Sequence, residues 1–387
     1  MLKSNSFKYV GVADETIDLF ESQYPVPEGM LYNSYILFDE KIVIFDTVDQ
    51  RAIDTWLSNV QKELGDKKPD FLIIHHLEPD HSAGILKLHE LYPEMKLIGN
   101  PMTFKLLPQF FDEDLSALYV TVKDKETLEF GAHSLTFYTA PMVHWPEVMM
   151  SYNPEEKIFF GADAFGKFGV DQTTYDWACE ARRYYFNIVG KYGNQVQALL
   201  KKIGGLDIQA ICSLHGPVLD EDLGYYVGLY DTWSSYKPED TGVLVAYASI
   251  HGNTAKAAEY FAKKLEEKGE EKVVLTEISR SDVAEVIEDA FRYDRMVLFS
   301  SSYDAGVFPP MESFLHHLVA KNYCNRKVAL VENGTWAPSA YKTMEKIMEP
   351  LKNVEIIGDK ITIKTTMSKA NEEELDALAD VVISAKG

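Results

Sequence analysis

His76-Leu77-Glu78-Pro79-Asp80-His81 gathers two imidazoles and two carboxylates into six residues. The segment follows directly on Phe71-Leu72-Ile73-Ile74, a short apolar run that reads as a buried strand. A strand end fixes the backbone, and the loop beyond it lets alternate side chains converge. Pro79 stiffens that loop. Packing alone gives no reason to place these four side chains together. The segment reads as part of a metal site with too few donors to complete it.

Further donors stand in the same local context. His144 follows Ala140-Pro141-Met142-Val143, just after a strand pattern. Asp163 follows the strand pattern Lys157–Gly161, and His215 follows Ile208–Ser213 in Ser-Leu-His-Gly-Pro. Each ends an apolar run beside Gly or Pro, as residues from one edge of a β-sandwich would. Two positions sharing Asp163 account for the set: His76, Glu78, His144 and Asp163 for one, and Asp80, His81, His215 and Asp163 for the other. Imidazole and carboxylate without thiolate suit iron or manganese and are compatible with zinc. Of the other histidines, His75 reads as a support for the site, and His89, His133, His316 and His317 as surface residues.

The chain has 387 residues, enough for two or three domains, and is 46% hydrophobic. No apolar run approaches the roughly 20 residues that span a bilayer. No signal-peptide core follows the N-terminus, so a cytoplasmic location is expected. A formal net charge of −22 argues against nucleic acid or an anionic membrane as partner. Cys179, Cys212 and Cys324 are scattered and form no CxxC, which implies reduced thiols and no iron–sulfur motif.

Strands and helices are mixed in the first part. Ser34–Asp39 and Lys41–Asp46 read as a hairpin, Ala52–Leu64 as a helix stopped by Gly65, and Ser82–Leu91 as a helix capped by Ser82. Strand patterns follow at Leu97–Gly99, Leu135–Thr139, Met149–Tyr152, Ile158–Gly161 and Ile208–Ser213, suggesting an α/β sandwich. The polar stretch Ser234–Gly242 marks a domain boundary, giving domains 1–238 and 239–387. Beyond it, five strands beginning at Val243 alternate with five helices, the pattern of a doubly wound parallel sheet.

Three loops of this second domain carry a separate signal. Ser249-Ile250-His251-Gly252-Asn253-Thr254 joins a strand to a helix, so that backbone N–H groups and the helix dipole can hold a phosphate. Ser301-Ser302-Tyr303-Asp304-Ala305 and Asn333-Gly334-Thr335-Trp336 follow later strands, at the carboxyl edge where doubly wound sheets bind ligands. The first loop resembles the flavodoxin phosphate loop, and the three together imply FMN.

The order His-x-Glu-x-Asp-His, then His, Asp and His, resembles the flavodiiron proteins, or A-type flavoproteins. The spacings of 62 and 18 intervening residues resemble those of the family, while the last, 51, is shorter than in many relatives, through a shorter loop around Gly166–Asp176. Gly29–Tyr35 and Ala181–Ile188 also look like family segments. The resemblance implies an N-terminal metallo-β-lactamase-like αββα sandwich and a C-terminal flavodoxin-like domain. It implies two iron ions, because Glu78 stands where hydrolases of that fold carry a histidine. It makes Tyr185 a candidate beside the open metal face, and it notes that the residue matching His81 turns off the metal in some relatives. A pocket histidine common in relatives is replaced here by the stretch Pro25–Glu28. The implied activity is reduction of O2 to water, of NO to N2O, or of both, with electrons passing through FMN from a rubredoxin-type donor. Since no four-cysteine module follows the second domain, the donor is expected to be separate. The implied assembly is a head-to-tail homodimer or a dimer of dimers. A binuclear zinc hydrolase with an appended flavodoxin domain, and an electron carrier with a vestigial metal domain, are the rival readings.

Overall fold

The run at Phe71 becomes the strand Phe71–Ile73, fourth in a six-stranded sheet. In order, that sheet comprises Phe7–Tyr9, Tyr35–Leu37, Val43–Phe45, Phe71–Ile73, Lys96–Gly99 and Tyr119–Thr121. A computed structural model describes residues 2–386. The chain divides into two compact units, Met1–Asp231 and Thr232–Gly387.

In the first unit a second sheet runs Thr127–Glu129, Ser134–Thr139, Met149–Asn153, Ile158–Phe160 and Ala210–Cys212. Phe45, Ile73 and Ile98 of one sheet share a buried core with Phe137, Met149 and Phe160 of the other. That shared core makes the two sheets a sandwich. Outside it, the helix Ile53–Leu64 buries Trp56, Val60 and Leu64 along one stripe. The αββα architecture is therefore present. The expected hairpin forms, with Tyr35–Leu37 antiparallel to Val43–Phe45.

Two local expectations are corrected. Ser82 does not cap a helix. A single helical turn, Pro79–Ser82, begins at the proline, and the Ser82 hydroxyl donates to the Leu77 carbonyl at 2.7 Å. Gly84 then opens the helix Ile85–Leu91. Pro79 carries a φ that suits the first position of a helix, and the turn it starts carries Asp80 and His81.

The second correction is His133, which is not a free surface residue. Its Nδ1 contacts Asp39 Oδ2 at 2.7 Å, and its Nε2 contacts Glu156 Oε1 at 3.2 Å. Asp39 also accepts from the N–H groups of Glu40, Ala132 and His133, tying the hairpin turn to the second sheet. Burial acts to raise the Asp39 pKa, but His133 and these N–H groups outweigh it and hold it at about 2. The folded value lies below the unfolded one. The stabilisation is therefore complete above about pH 4 and is lost as pH falls through about 2. Asp39→Asn is expected to cost about 2 kcal/mol at neutral pH, by denaturant titration, and progressively less in acid.

The second unit holds a parallel sheet in the order Val273–Glu277, Asp240–Ala248, Tyr293–Tyr303, Arg326–Asn333 and Val354–Ile356. The sequence pattern missed two strands, of which the short Gly306–Val307 turns back antiparallel on Tyr293–Tyr303. Ile361–Ile363 pairs with the far end of Arg326–Asn333 after a break in the edge strand. The helix Lys369–Ser384 opens with a capping box made by Ser368 and Asn371. The strand order and parallel pairing are those of a doubly wound, flavodoxin-like domain.

Candidate functional site

Seven side chains from four separate stretches meet at one edge of the sandwich. His76 and Glu78 come from the loop after Phe71–Ile73, and Asp80 and His81 from the turn begun at Pro79. His144 lies between Ser134–Thr139 and Met149–Asn153, Asp163 follows Ile158–Phe160, and His215 follows Ala210–Cys212.

The donors fall into the two expected groups. In the first, His144 Nε2 lies 3.0 Å from Glu78 Oε2 and 3.1 Å from Asp163 Oδ2. His76 Nε2 lies 3.2 Å and 3.4 Å from the same two oxygens. In the second, His81 Nε2 and His215 Nε2 each lie 3.2 Å from Asp80 Oδ2. Asp163 Oδ1 faces these two nitrogens at 3.5 and 3.7 Å. Asp163 therefore offers one oxygen to each group.

The donor set fits metal ions. Bonds of about 2.1 Å place neighbouring ligand atoms about 3.0–3.4 Å apart, close to the separations seen. His81 Nε2 and His215 Nε2 face each other at 2.9 Å, a pairing that needs a proton or a metal between two lone pairs. Asp80 Oδ1 and Asp163 Oδ1 are buried without a hydrogen-bond donor. His81 is turned in with the others.

Charge follows the same logic. Burial disfavours charged imidazoles, yet Asp163, Glu147 and Glu78 hold His76 well above the usual histidine range. Against burial, Asp163 and Glu78 raise His144 to about 9. Burial likewise opposes the charge on Asp80, but His81 and His215 keep it well below the usual carboxylate range. The carboxylates thus draw positive charge inward, and protons supply it unless metals do. Metal uptake is expected to release protons and to weaken as pH falls below about 9. Proton release in a pH-stat titration with a divalent metal measures this directly.

Three supporting residues carried no clear sequence signal. Glu147 is fully buried, and its Oε1 accepts from His76 Nδ1 at 2.8 Å and from the Leu77 N–H at 2.9 Å. Its place three residues after His144 was the only available hint. Asp46, with a left-handed φ of 54°, takes both the His75 N–H and His75 Nδ1. His75 Nε2 contacts Ser151 Oγ at 2.9 Å. This Ser–His–Asp row is at most 2% exposed, so it braces the strand end and meets no substrate.

Tyr184 stands against the cluster. Its ring stands 5.6 Å from that of His215, and its buried hydroxyl has no hydrogen-bond partner. Burial, then the charges of Asp163, Asp80 and Glu78, push it well above the usual tyrosine range. Tyr185, the sequence candidate, stands edge-on to Phe186 and Tyr230, each at 5.1 Å. Adjacent helical residues point about 100° apart, and the repeat alone does not tell which one faces the site. Phe20, edge-on to His215 at 5.4 Å, brings a short hairpin over the cluster. The next residue is Glu21, exposed at the turn. Desolvation and then the charge of Glu78 push its carboxyl up to about 7. The segment therefore brings a carboxyl group toward the pocket.

In the second unit the three expected loops lie at the carboxyl ends of Asp240–Ala248, Tyr293–Tyr303 and Arg326–Asn333. The Gly252 N–H donates to Ser249 Oγ at 3.1 Å, and Gly252 takes a φ of +87° that suits glycine alone. Asn253 then opens a helix with no side-chain cap on its first N–H groups. Thr254 Oγ1 and Ser301 Oγ join the first two loops at 2.8 Å. Ser302 and Asn333 spend their side chains inside the fold: Ser302 Oγ accepts from the N–H groups of Ser339 and Ala340, and Asn333 clasps Thr365. A Cβ on Gly334 would lie 2.9 Å from Ser302 Oγ, so only glycine lets these loops approach. Asp304 and Ala305 form a left-handed turn. Ile250, Tyr303 and Trp336 remain exposed, Trp336 to 92%, beside the exposed His251. Thr335 Oγ1 meets Thr365 Oγ1 at 2.6 Å. These loops suit a phosphate held by backbone N–H groups and a flat ring bordered by aromatic side chains.

Such a chain joins a metallo-β-lactamase-like domain bearing two adjoining donor groups to a flavodoxin-like domain. Residues 30–216 match the family model described as ODP family beta lactamase. An uncharacterised protein of Methanocaldococcus jannaschii is 28% identical over 90% of this chain and 88% of its own length. The anaerobic nitric oxide reductase flavorubredoxin of Vibrio vulnificus is 27% identical over 86% of this chain and 69% of its own. The rubredoxin:oxygen oxidoreductase of Desulfovibrio gigas shares the fold, with a TM-score of 0.92 at 24% identity over 100% of this chain and 98% of that one. Over most of its length the chain is thus similar to flavorubredoxins, and it shares the fold of solved flavodiiron proteins.

Proposed function

We propose that this chain is an oxidoreductase that reduces O2 to water, NO to N2O, or both, at a pair of irons supplied with electrons through FMN. The observation that carries the reading is the convergence of His76, Glu78, His144, Asp80, His81 and His215 on the two oxygens of Asp163. Glu78 Oε2 completes a nitrogen–oxygen set in the first group, which suits a redox metal better than a set rich in histidine. Two irons would supply reducing electrons and Lewis acidity to a bound gas.

The chain's own residues have definite tasks. The seven donors fix the metals, and Asp163 fixes their spacing. Tyr184 presents an unpaired hydroxyl on the side of His215, where it can donate a hydrogen bond to a small substrate. Phe20 and Trp145 wall off water, Trp145 lying edge-on to His76 at 5.3 Å. In the second unit, the backbone of Ser249–Thr254 would hold the FMN phosphate, and the loops at Ser301–Ala305 and Asn333–Trp336 would border its ring.

The same reading takes a separate rubredoxin-type protein as donor, a head-to-tail homodimer as the assembly and the cytoplasm as the location. Among the described residues, no helix is long and apolar enough to cross a membrane. The test is to count metals and flavin, then follow gas uptake after anaerobic reduction. Two irons and one FMN per chain, with O2 or NO consumed faster than by free FMN, are expected. Two zinc ions with ester or thioester hydrolysis and no gas uptake would sink the proposal. Tyr184→Phe is expected to lower turnover about 10-fold with both metals retained, while Tyr185→Phe changes turnover less than threefold.

A further inference from the structure

The two donor groups are held from behind in unlike ways. His76 Nδ1 donates to the fully buried Glu147 carboxylate, and the Leu77 N–H donates to the same oxygen. The Asn100 side-chain amide holds the Glu147 carbonyl at 2.6 Å, so both ends of the residue are fixed. In the other group, His215 Nδ1 has only the Leu31 carbonyl, at 2.7 Å. His81 Nδ1 is buried with no partner.

A carboxylate behind an imidazole fixes the tautomer that aims Nε2 at a metal, and it makes that nitrogen more basic. A carbonyl fixes the tautomer with less gain in basicity, and a bare Nδ1 does neither. Glu147 also keeps its Oε2 buried without a donor, a costly arrangement for a residue that served only the fold.

We propose that Glu147 makes the two metal positions unequal: it anchors the metal held by His76, Glu78, His144 and Asp163, and leaves the one at Asp80, His81 and His215 more labile. This deepens the proposed function and rests on it only in requiring two metals.

The full chain, loaded anaerobically with two equivalents of Fe(II), is challenged with a chelator, and iron per chain is followed in time. The native chain is expected to lose one equivalent quickly and one slowly. Glu147→Gln keeps an acceptor for His76 and Leu77 but removes the charge. It should speed the slow phase about 10–100-fold and leave the fast one unchanged. The thermal midpoint of the same variant without metal should stay within about 3 °C of the native chain, since no hydrogen bond to His76 or Leu77 is lost. Glu147→Asp, which keeps the charge, should retain a slow phase, and it decides the matter if the glutamine variant does not fold. Loss of both irons in a single phase from the native chain overturns the proposal. So does equal acceleration of both phases, or none, in the glutamine variant. A chain that never takes up two metals fails the functional reading instead.

Discussion

Asp163→Ala is expected to bring bound metal from two per chain to near zero, and turnover down by more than about 100-fold. The two oxygens of Asp163 face both donor groups, Oδ2 toward His76 and His144 and Oδ1 toward His81 and His215. Its removal takes one oxygen from each donor group and the carboxylate charge that lies between the two groups. The affected side chains are buried, so water cannot readily replace the lost oxygen atoms. FMN should stay bound, because its loops belong to a separate folding unit. Metal analysis with flavin absorbance checks both statements, and a variant that keeps both metals would refute the bridging role.

The second large effect lies in the flavodoxin-like unit. Arg295 is fully buried and donates from Nη1 to Glu270 Oε2 at 2.8 Å, with Glu270 only 2% exposed in its side chain. Nη1 also donates to the Val382 carbonyl, and Nε to Asp294. Arg295→Leu is expected to cost about 3–5 kcal/mol, because it leaves the buried Glu270 charge without its main partner. The lower end applies if Lys386, 3.4 Å from the same oxygen, substitutes in part. Arg295→Leu combined with Glu270→Leu should recover most of the loss, since no isolated charge then remains. Denaturant unfolding of the three chains decides this. A double variant as weak as the single one would show that packing around the guanidinium matters more than the charge.

Much of this molecule was legible from local chemistry. A strand of apolar residues ending in two imidazoles and two carboxylates announces a site wherever it sits in a fold. Gly and Pro beside His144, Asp163 and His215 mark turns at strand ends, and a turn residue's backbone is fixed by neighbours in sequence. The regular strand–helix alternation after Val243 is likewise local, so the parallel sheet could be read directly. Where the period was broken the reading failed. The strand Ile361–Ile363 is short and enters the sheet only because the edge strand stops before it. Ser82 looks like a helix cap by composition, yet Pro79 had already begun the turn.

By itself, then, the sequence determined the seven donors, their division into two groups and the three loops of the second domain, because residue type and strand-end position are local properties. Only the tertiary structure decided which side chains stand behind and around them. Glu147 reaches His76 across 71 positions of chain. Asp46 meets His75 across 29. Tyr184 stands against His215 with Phe168 edge-on to its ring. Contacts of that kind depend on how elements pack, and packing leaves no repeating mark along a single chain.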